Sequence, residues 1–420
     1  MKRPFAPRYL VAPILECARW CLWVVPVGGL AGSASAFFLR SLDWVTATRL
    51  QLPWLLWLLP VSGFITGWIY HRIGRKAEGG TPLIFEQIHK PGGGIPARLA
   101  PLVLLGTLAT HLCGGSAGRE GTAVQMGGSI ASAFGRFFSI DAATLRVVLM
   151  AGVAAGFGSV FGTPVAGAVF ALEVVMKEHV QYRMLWPLLL ASMIGDATCS
   201  AWGIHHTTFH LTISSDATAA DLLSPLLLIK VVVTAVIFGW VSRSFTVLSH
   251  RLQDTFKHLI AYAPLRPVLG GVLVITLVYL VGTRDYLGLG VSSSEPSAIT
   301  LLSAFHLGGV TSWSWALKLL FTVITLASGF KGGEVTPLFF IGATLGHTLA
   351  LILGAPIDLF AGLGLIAVFS GATKTPLACT LMGLELFGAH YAVYFALACF
   401  VAQRCSGAAT IYVSSAKHQG

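Results

Sequence analysis

Charge is what this chain has least of. Asp, Glu, Lys and Arg make up 10% of its 420 residues, hydrophobic residues make up 55%, and the mean hydropathy is +0.78. That balance excludes a soluble globular protein of this size and leaves the polytopic membrane class. Acids are the scarcer sign, 17 against 27 Lys and Arg, for a formal net charge of +10. The surplus does not read as a nucleic-acid surface. It falls in clusters beside apolar runs, at Lys2, Arg3 and Arg8, at His71, Arg72, Arg75 and Lys76, at Lys177 and Arg183, and at Arg243, Arg251, Lys257 and Arg266, mostly in short loops. Residues 203–220 contain no Lys or Arg. The expectation is a cytosolic amino terminus, residues 203–220 outside, and a cytosolic carboxyl terminus.

Other absences narrow the chemistry. The seven cysteines show no paired spacing, so reduced thiols packed in a core are expected. There is no HExxH and no suitable pair of intramembrane aspartates, which argues against an enzyme and against a cofactor. HHTTFH (205–210) has three histidines but no acid or cysteine beside it, so it reads as a polar loop rather than a metal site. The first 30 residues are basic and then apolar, with no convincing cleavage site, and read as an uncleaved first helix.

What is present is hydrophobic length. Runs 10–31, 53–70, 184–203 and 222–242 reach the ~20 residues that cross a bilayer as a helix. Runs 99–118, 121–135, 144–175, 335–354 and 360–388 are shorter or broken by glycine. Broken helices at membrane depth survive only when packed in protein or lining a wet cavity, which favours a transporter or channel over an anchor. Tryptophans 54, 57, 68, 313 and 315 are expected at membrane interfaces.

The chain repeats itself. GREGTAVQMGG (118–128) and GGEVTPLFFIG (332–342) share Gly-x-Glu-x-Thr and a glycine six residues after the threonine, with Glu120 and Glu334 standing 214 residues apart. TPVAGAVFALE (163–173) and TPLACTLMGLE (375–385) share their ends, with Pro164 and Pro376 standing 212 apart. Two patterns at nearly one offset imply two halves, 10–203 and 218–405, after a segment 1–9 and joined by a loop at 204–217. Residues 406–420 are expected to form a final short helix with Tyr412 and a tail. Paired broken helices in duplicated halves place a binding site near the midplane. Matching alone leaves parallel and inverted halves equally open.

Glu120 is the sharpest candidate. An ionisable group inside a membrane is a functional hypothesis by default. Gly118 and Gly121 remove side chains around it, and the apolar run that follows puts it in the first turn of a helix. There the dipole favours an anion, which is either the Glu120 carboxylate or a dissolved ion that displaces it. A displaced carboxylate can take up a proton, so the arrangement can gate. Helix capping or pairing with Arg119 is the plainer alternative. For Glu173 and Glu385, which end the matched TP…LE helices, a structural role at a helix terminus or cytosolic edge is expected. Glu86 and His89 read as a solvated helix face.

These motifs resemble the CLC family of chloride channels and proton-coupled antiporters, in order and over essentially the whole chain. GREGT (118–122) resembles the family's G-(K/R)-E-G-P signature, whose glutamate is the gate. GGEVTP (332–337) stands in the place of G-x-F-x-P, and GTPLI (80–84) in that of G-S-G-I-P. Tyr412, in ATIYVSS, stands where the family has its central anion-contacting tyrosine. The resemblance implies an all-α integral membrane fold of two inverted halves with broken and tilted helices, and a homodimer with one pathway per subunit.

The departures are specific. Thr122 replaces the proline of the gate motif, Glu334-Val335-Thr336 replaces x-Phe-x, and Thr81 stands in for the serine hydroxyl. Val174 occupies the position of the internal proton-relay acid of many chloride antiporters. GREGT with GGEVTP looks like the fluoride-exporting branch, which exchanges fluoride for protons, although GTPLI lacks the Asn- or Met-containing sequence that branch often carries. Fluoride is small and strongly hydrated, so its site needs close hydrogen-bond donors. The resemblance places the anion site along Gly80, Thr81, Pro82, Leu83, Gly121, Thr122, Val335, Thr336 and Tyr412, with Glu120 and Glu334 on the proton pathway. The expected protein is a proton-coupled fluoride exporter of a bacterial inner membrane, working with anions, protons and lipid. A chloride/proton antiporter and a passive chloride channel of the same family are the alternatives. Eight residues follow Tyr412, so the carboxyl-terminal regulatory module of some relatives is not expected.

Overall fold

The structure, a computed structural model, describes residues 8–90, 94–175, 182–209, 211, 224–293, 295 and 297–412. Among them are fifteen α-helices. The first half holds α1 (Arg8–Gln51), α2 (Leu59–Ile73), α3 (Gly80–His89), α4 (Leu99–Leu112), α5 (Glu120–Phe137), α6 (Ala142–Phe161), α7 (Pro164–Val175) and α8 (Leu185–Ala201). The second holds α9 (Pro225–Leu259), α10 (Arg266–Val281), α11 (Ser314–Ala327), α12 (Val335–Leu353), α13 (Ile357–Thr373), α14 (Pro376–Phe387) and α15 (Ala392–Cys405).

The same neighbours recur in each half. α5 packs on α6 as α12 packs on α13; α6 meets α7 and α8 as α13 meets α14 and α15; α1 lies on α8 as α9 lies on α15. Glycine makes the tightest of these contacts possible at matching places. A Cβ on Gly127 would collide with the Gly152 carbonyl oxygen, and one on Gly342 with that of Gly364. Without a side chain at either position, the two backbones of each pair approach closely and make the packing on which apolar helices in lipid rely.

Between the halves, like meets like: α7 packs on α14 and α2 on α10. The α7–α14 contact is reciprocal. Glu173, near the end of α7, accepts from the amides of Leu377 (3.1 Å) and Ala378 (2.8 Å) at the start of α14. Glu385, near the end of α14, accepts from Val165 (2.9 Å) and Ala166 (2.8 Å) at the start of α7. Each carboxylate satisfies amide groups that a helix start leaves without partners. Because each end reaches the other's beginning, the two equivalent helices run in opposite directions, and the halves are inverted.

α6 and α13 are buried almost throughout. α9 and α10 instead present large apolar side chains outward, among them Leu226, Ile229, Trp240, Tyr279 and Leu280. Six helical stretches among the described residues are long and apolar enough to cross a membrane. Trp54, Trp57, Trp68 and Trp313 are exposed, and Trp315 is half-buried.

Three sequence expectations change. The first apolar helix runs on to Gln51 rather than stopping near residue 31. Arg243, Arg251 and Lys257 lie within α9 rather than in a loop, because α9 continues to Leu259. Residues 406–412 form no helix: Tyr412 sits on a tail anchored by the Ile411 amide on the Ala372 carbonyl (3.0 Å), and residues 413–420 lie outside the described residues.

Candidate functional site

The site begins where two glycine-rich turns touch. Gly118 and Gly333 form an antiparallel bridge, with the Gly118 amide 2.6 Å from the Gly333 carbonyl and the Gly333 amide 2.9 Å from that of Gly118. A Cβ on Gly118 would stand 2.9 Å from the Gly333 oxygen, and one on Gly333 2.8 Å from the Gly121 nitrogen, so neither turn tolerates a side chain. The segment leading to α5 is also tied to the other half. The Ser116 amide donates to Thr325 Oγ1 (3.2 Å), and Ser116 Oγ pairs with Thr322 Oγ1 (2.9 Å), both on α11. α5 and α12 therefore start side by side, with their positive ends at one point.

Glu120 fills that point and is fully buried. One carboxylate oxygen, Oε2, accepts from the Arg119 amide (3.1 Å) and from the Thr336 amide (3.1 Å). The other, Oε1, takes the Thr336 hydroxyl and lies 3.6 Å from Arg119 Nε. One carboxylate thus answers donors from the starts of both helices. Donors so arranged can hold an anion, and here they hold a tethered carboxylate.

The other sequence-selected residues take distinct places. Gly80 opens α3 at φ +53, and Thr81 Oγ1 accepts from Gln125 Nε2 (3.2 Å), tying α3 to α5; Pro82 and Leu83 follow half-buried. Gly121 packs against Gly333. Thr122 is buried, and its hydroxyl pairs with Thr107 Oγ1 of α4 (2.7 Å), not with Glu120. Val335 and Thr336 form the first turn of α12. Glu334 is the residue before that turn, is half-buried and makes no capping hydrogen bond with its side chain. Tyr412 sets its ring edge-on to Phe85 of α3 (5.2 Å between centroids) and to Phe170 of α7 (6.2 Å). The structure thus gathers Glu120, Gly118, Gly121, Thr336 and Gly333 at one contact. Thr81, Gln125, Phe85 and Tyr412 form a second group along α3 and α5.

His89 is more than a solvated face, since its ring nitrogens lie 2.7 Å from the Phe85 carbonyl and 2.8 Å from that of Val175. His210 lies outside the described residues, and among the described residues no cluster suits a metal ion.

Two buried groups escaped the sequence reading. Lys318 on α11 is fully buried; Nζ donates to the carbonyls of Tyr286 (3.1 Å) and Gly288 (2.8 Å) and lies 5.3 Å from the Phe340 ring centroid. The only trace in sequence is one lysine inside the apolar run SWALKLLFTVITLA. His111, at the end of α4, is buried with Nε2 3.4 Å from the Gly118 carbonyl, and nothing in the sequence marked it. A vestibule of about 570 Å³ is lined among others by Arg49, Arg284, His205, Gly290 and Arg119.

Inverted apolar halves, broken helices and a buried carboxylate at facing helix starts define a membrane protein of the ion-transport class. Comparison with known proteins gives the family. Residues 62–407 match the family model for the voltage gated chloride channel. The chain is 43% identical over 411 residues to the chloride/fluoride channel protein of Pseudomonas syringae pv. tomato, across 96% of this chain and 88% of that one. The crystal structure of a CLC-type fluoride/proton antiporter matches with a TM-score of 0.87 at 35% identity, over 95% of this chain and 98% of that one. A slow cyanobacterial Cl⁻/H⁺ antiporter matches with a TM-score of 0.76 at 20% identity, a likeness of fold alone. The chain belongs to the CLC family of voltage gated chloride channels.

Proposed function

We propose that this protein is a fluoride/proton antiporter in which Glu120 is both gate and proton carrier. The observation that carries the reading is the Glu120 carboxylate itself, buried and held by amides from the starts of α5 and α12 and by the Thr336 hydroxyl. An anion entering this point must displace the carboxylate, and the displaced carboxylate is free to take up a proton. Anion movement and proton movement are thereby linked. The likeness to the Pseudomonas syringae protein and to the fluoride/proton antiporter structure supports fluoride as the anion.

In this reading Gly80, Thr81, Pro82, Leu83, Gly121, Val335, Thr336 and Tyr412 line the anion path, with donors from the amides and hydroxyls of all but Pro82, which has no N–H. Thr122 serves it indirectly, by fixing the start of α5 to α4. Glu334 serves as the second proton station, at the place where Val174 leaves no acid on the other route. The protein acts as a transporter rather than an enzyme, as a homodimer in a bacterial inner membrane, with both termini in the cytosol.

The test is anion efflux from proteoliposomes, with fluoride and chloride compared while proton movement is recorded. Fluoride efflux that drives proton uptake against a pH gradient, with the uptake lost in Glu120→Gln, is the expected result. Equal movement of chloride overturns fluoride selectivity, and fluoride flux without protons makes the protein a channel.

A further inference from the structure

A small cavity lies between the vestibule and the gate. Its volume is about 30 Å³, room for a single water or an ion of similar size. Arg119, His206 and Thr207 line both it and the vestibule, and Thr336 lines its inner end. Thr336 is the residue whose amide and hydroxyl hold Glu120. The cavity is thus the last step before the gate on the face that carries residues 204–209.

The vestibule is lined by acids as well as bases, including Asp43, Asp285 and Glu295, but among the described residues no acid lines the small cavity. Arg119 Nε and His206 Nε2 are buried and make no hydrogen bond among the described residues; each has an ion-pair contact only, to Glu120 Oε1 at 3.6 Å and to Asp196 Oδ1 at 3.4 Å. The His206 ring is held from two sides. Asp196 Oδ1 of α8 lies 3.4 Å from Nε2, and the ring rests on Gly162, where a Cβ would stand 2.6 Å from Cδ2. Gly162 has φ +69, so its lack of a side chain serves both the backbone turn and the seat for the ring. A fixed imidazole, a guanidinium and a hydroxyl converging on a space of ionic size are what a strongly hydrated small anion needs in exchange for its water.

We infer that this cavity is an anion-binding station for a small, strongly hydrated halide, held by Arg119, His206 and Thr207 just outside the gate carboxylate. It rests on the anion-transport reading and adds a site to it. An anion waiting here stands beside Arg119, which also faces Glu120 Oε1. Its charge competes for the guanidinium and weakens the hold on the carboxylate, so loading the station favours opening.

The test uses right-side-out and inside-out vesicles containing the full chain, with fluoride varied on one face at a time. His206→Phe keeps a flat ring over Gly162 and removes the donors. The expected result is a rise in apparent KM for fluoride of about tenfold, the worth of one charge-assisted hydrogen bond, from the 204–209 face only, with maximal rate unchanged. His206→Gln, which restores a donor, should recover part of the affinity. Thr207→Val, which leaves the histidine seat untouched, should raise the same one-sided KM by a smaller factor. A rise of equal size from both faces, or none in His206→Phe and Thr207→Val, overturns the station. Wild-type vesicles that move chloride but not fluoride would instead overturn the fluoride reading, and the one-sided shift is then read with chloride.

Discussion

The glycine-rich turns before α5 and α12 started from one pattern and now do different work. Glu120 and Glu334 occupy matching positions, as do Thr122 and Thr336. Glu120 is buried and bound by donors from both helix starts, whereas Glu334 is half-buried and caps nothing with its side chain. The Thr336 hydroxyl reaches across to Glu120, while that of Thr122 turns back to Thr107 in its own half. The inverted fold supplies equivalent scaffolds, and a few side chains remove the equivalence. A perfectly symmetric site would hold two carboxylates around one set of amides, and like charges so close could not both be ionised. Here one carboxylate lies on the amides and the other stands beside them.

The largest effect should come from closing the gap that lets the two turns touch. Gly333→Ala puts a Cβ 2.8 Å from the Gly121 nitrogen and must push the helix starts apart. Overpacking of this sort costs about 1–3 kcal/mol, and the geometry around Glu120 goes with it. Fluoride flux is expected to fall to background while the protein still purifies as folded material by size-exclusion chromatography. Retained flux would mean that the bridge does not set the site.

Next comes the threonine pair. Thr336→Val removes a donor to the gate carboxylate, worth about 1.5–3 kcal/mol for a charged acceptor, and should release the gate at least about tenfold more often. That release appears as faster anion flux with fewer protons moved per anion. Thr122→Val loses only the bond to Thr107 and should lower thermal stability while leaving the proton-to-anion ratio unchanged. If the two variants behave alike, the distinction drawn between the two helix starts is wrong.

Glu334→Gln should leave fluoride flux standing and weaken its coupling to protons; full coupling in this variant removes Glu334 from the proton route. The smallest effect concerns the scaffold. Glu173→Ala and Glu385→Ala each strip two amides of their acceptor at a helix start and should cost about 1 kcal/mol each, as lost caps do. The two caps sit at opposite ends of a 12-residue helix, so the double variant should show a summed loss of thermal stability. A loss well beyond the sum would reveal a cooperative seam between the halves.

Much of this was legible in the sequence for a physical reason. Glycine, proline and an intramembrane acid are each costly in an apolar helix, so glycine with an acid at 118–122 and 332–336, and proline with an acid at 163–173 and 375–385, marked the helix starts. What stayed hidden involves helices whose faces differ. α1 passes residue 31 because Asp43 and Arg49 lie on a helix that borders the vestibule, where polar groups meet water instead of lipid. Lys318 is compatible with its apolar run only because two carbonyls of a distant loop accept its protons. No local pattern announces an acceptor some thirty residues away. The matched ends of TP…LE suggested a structural role for Glu173 and Glu385, but that each serves the other's helix required both halves in place.

That exchange reaches beyond stability. α7 and α14 meet as two copies of one helix meet across a two-fold axis, each offering the carboxylate that the other lacks. A single half-length ancestor, inserted in both orientations, would already own this contact and could assemble with its own oppositely inserted twin before any fusion of genes. Fusion then makes one partner permanent and frees each copy from having to suit itself. The threonines at 122 and 336 are where that freedom has been used.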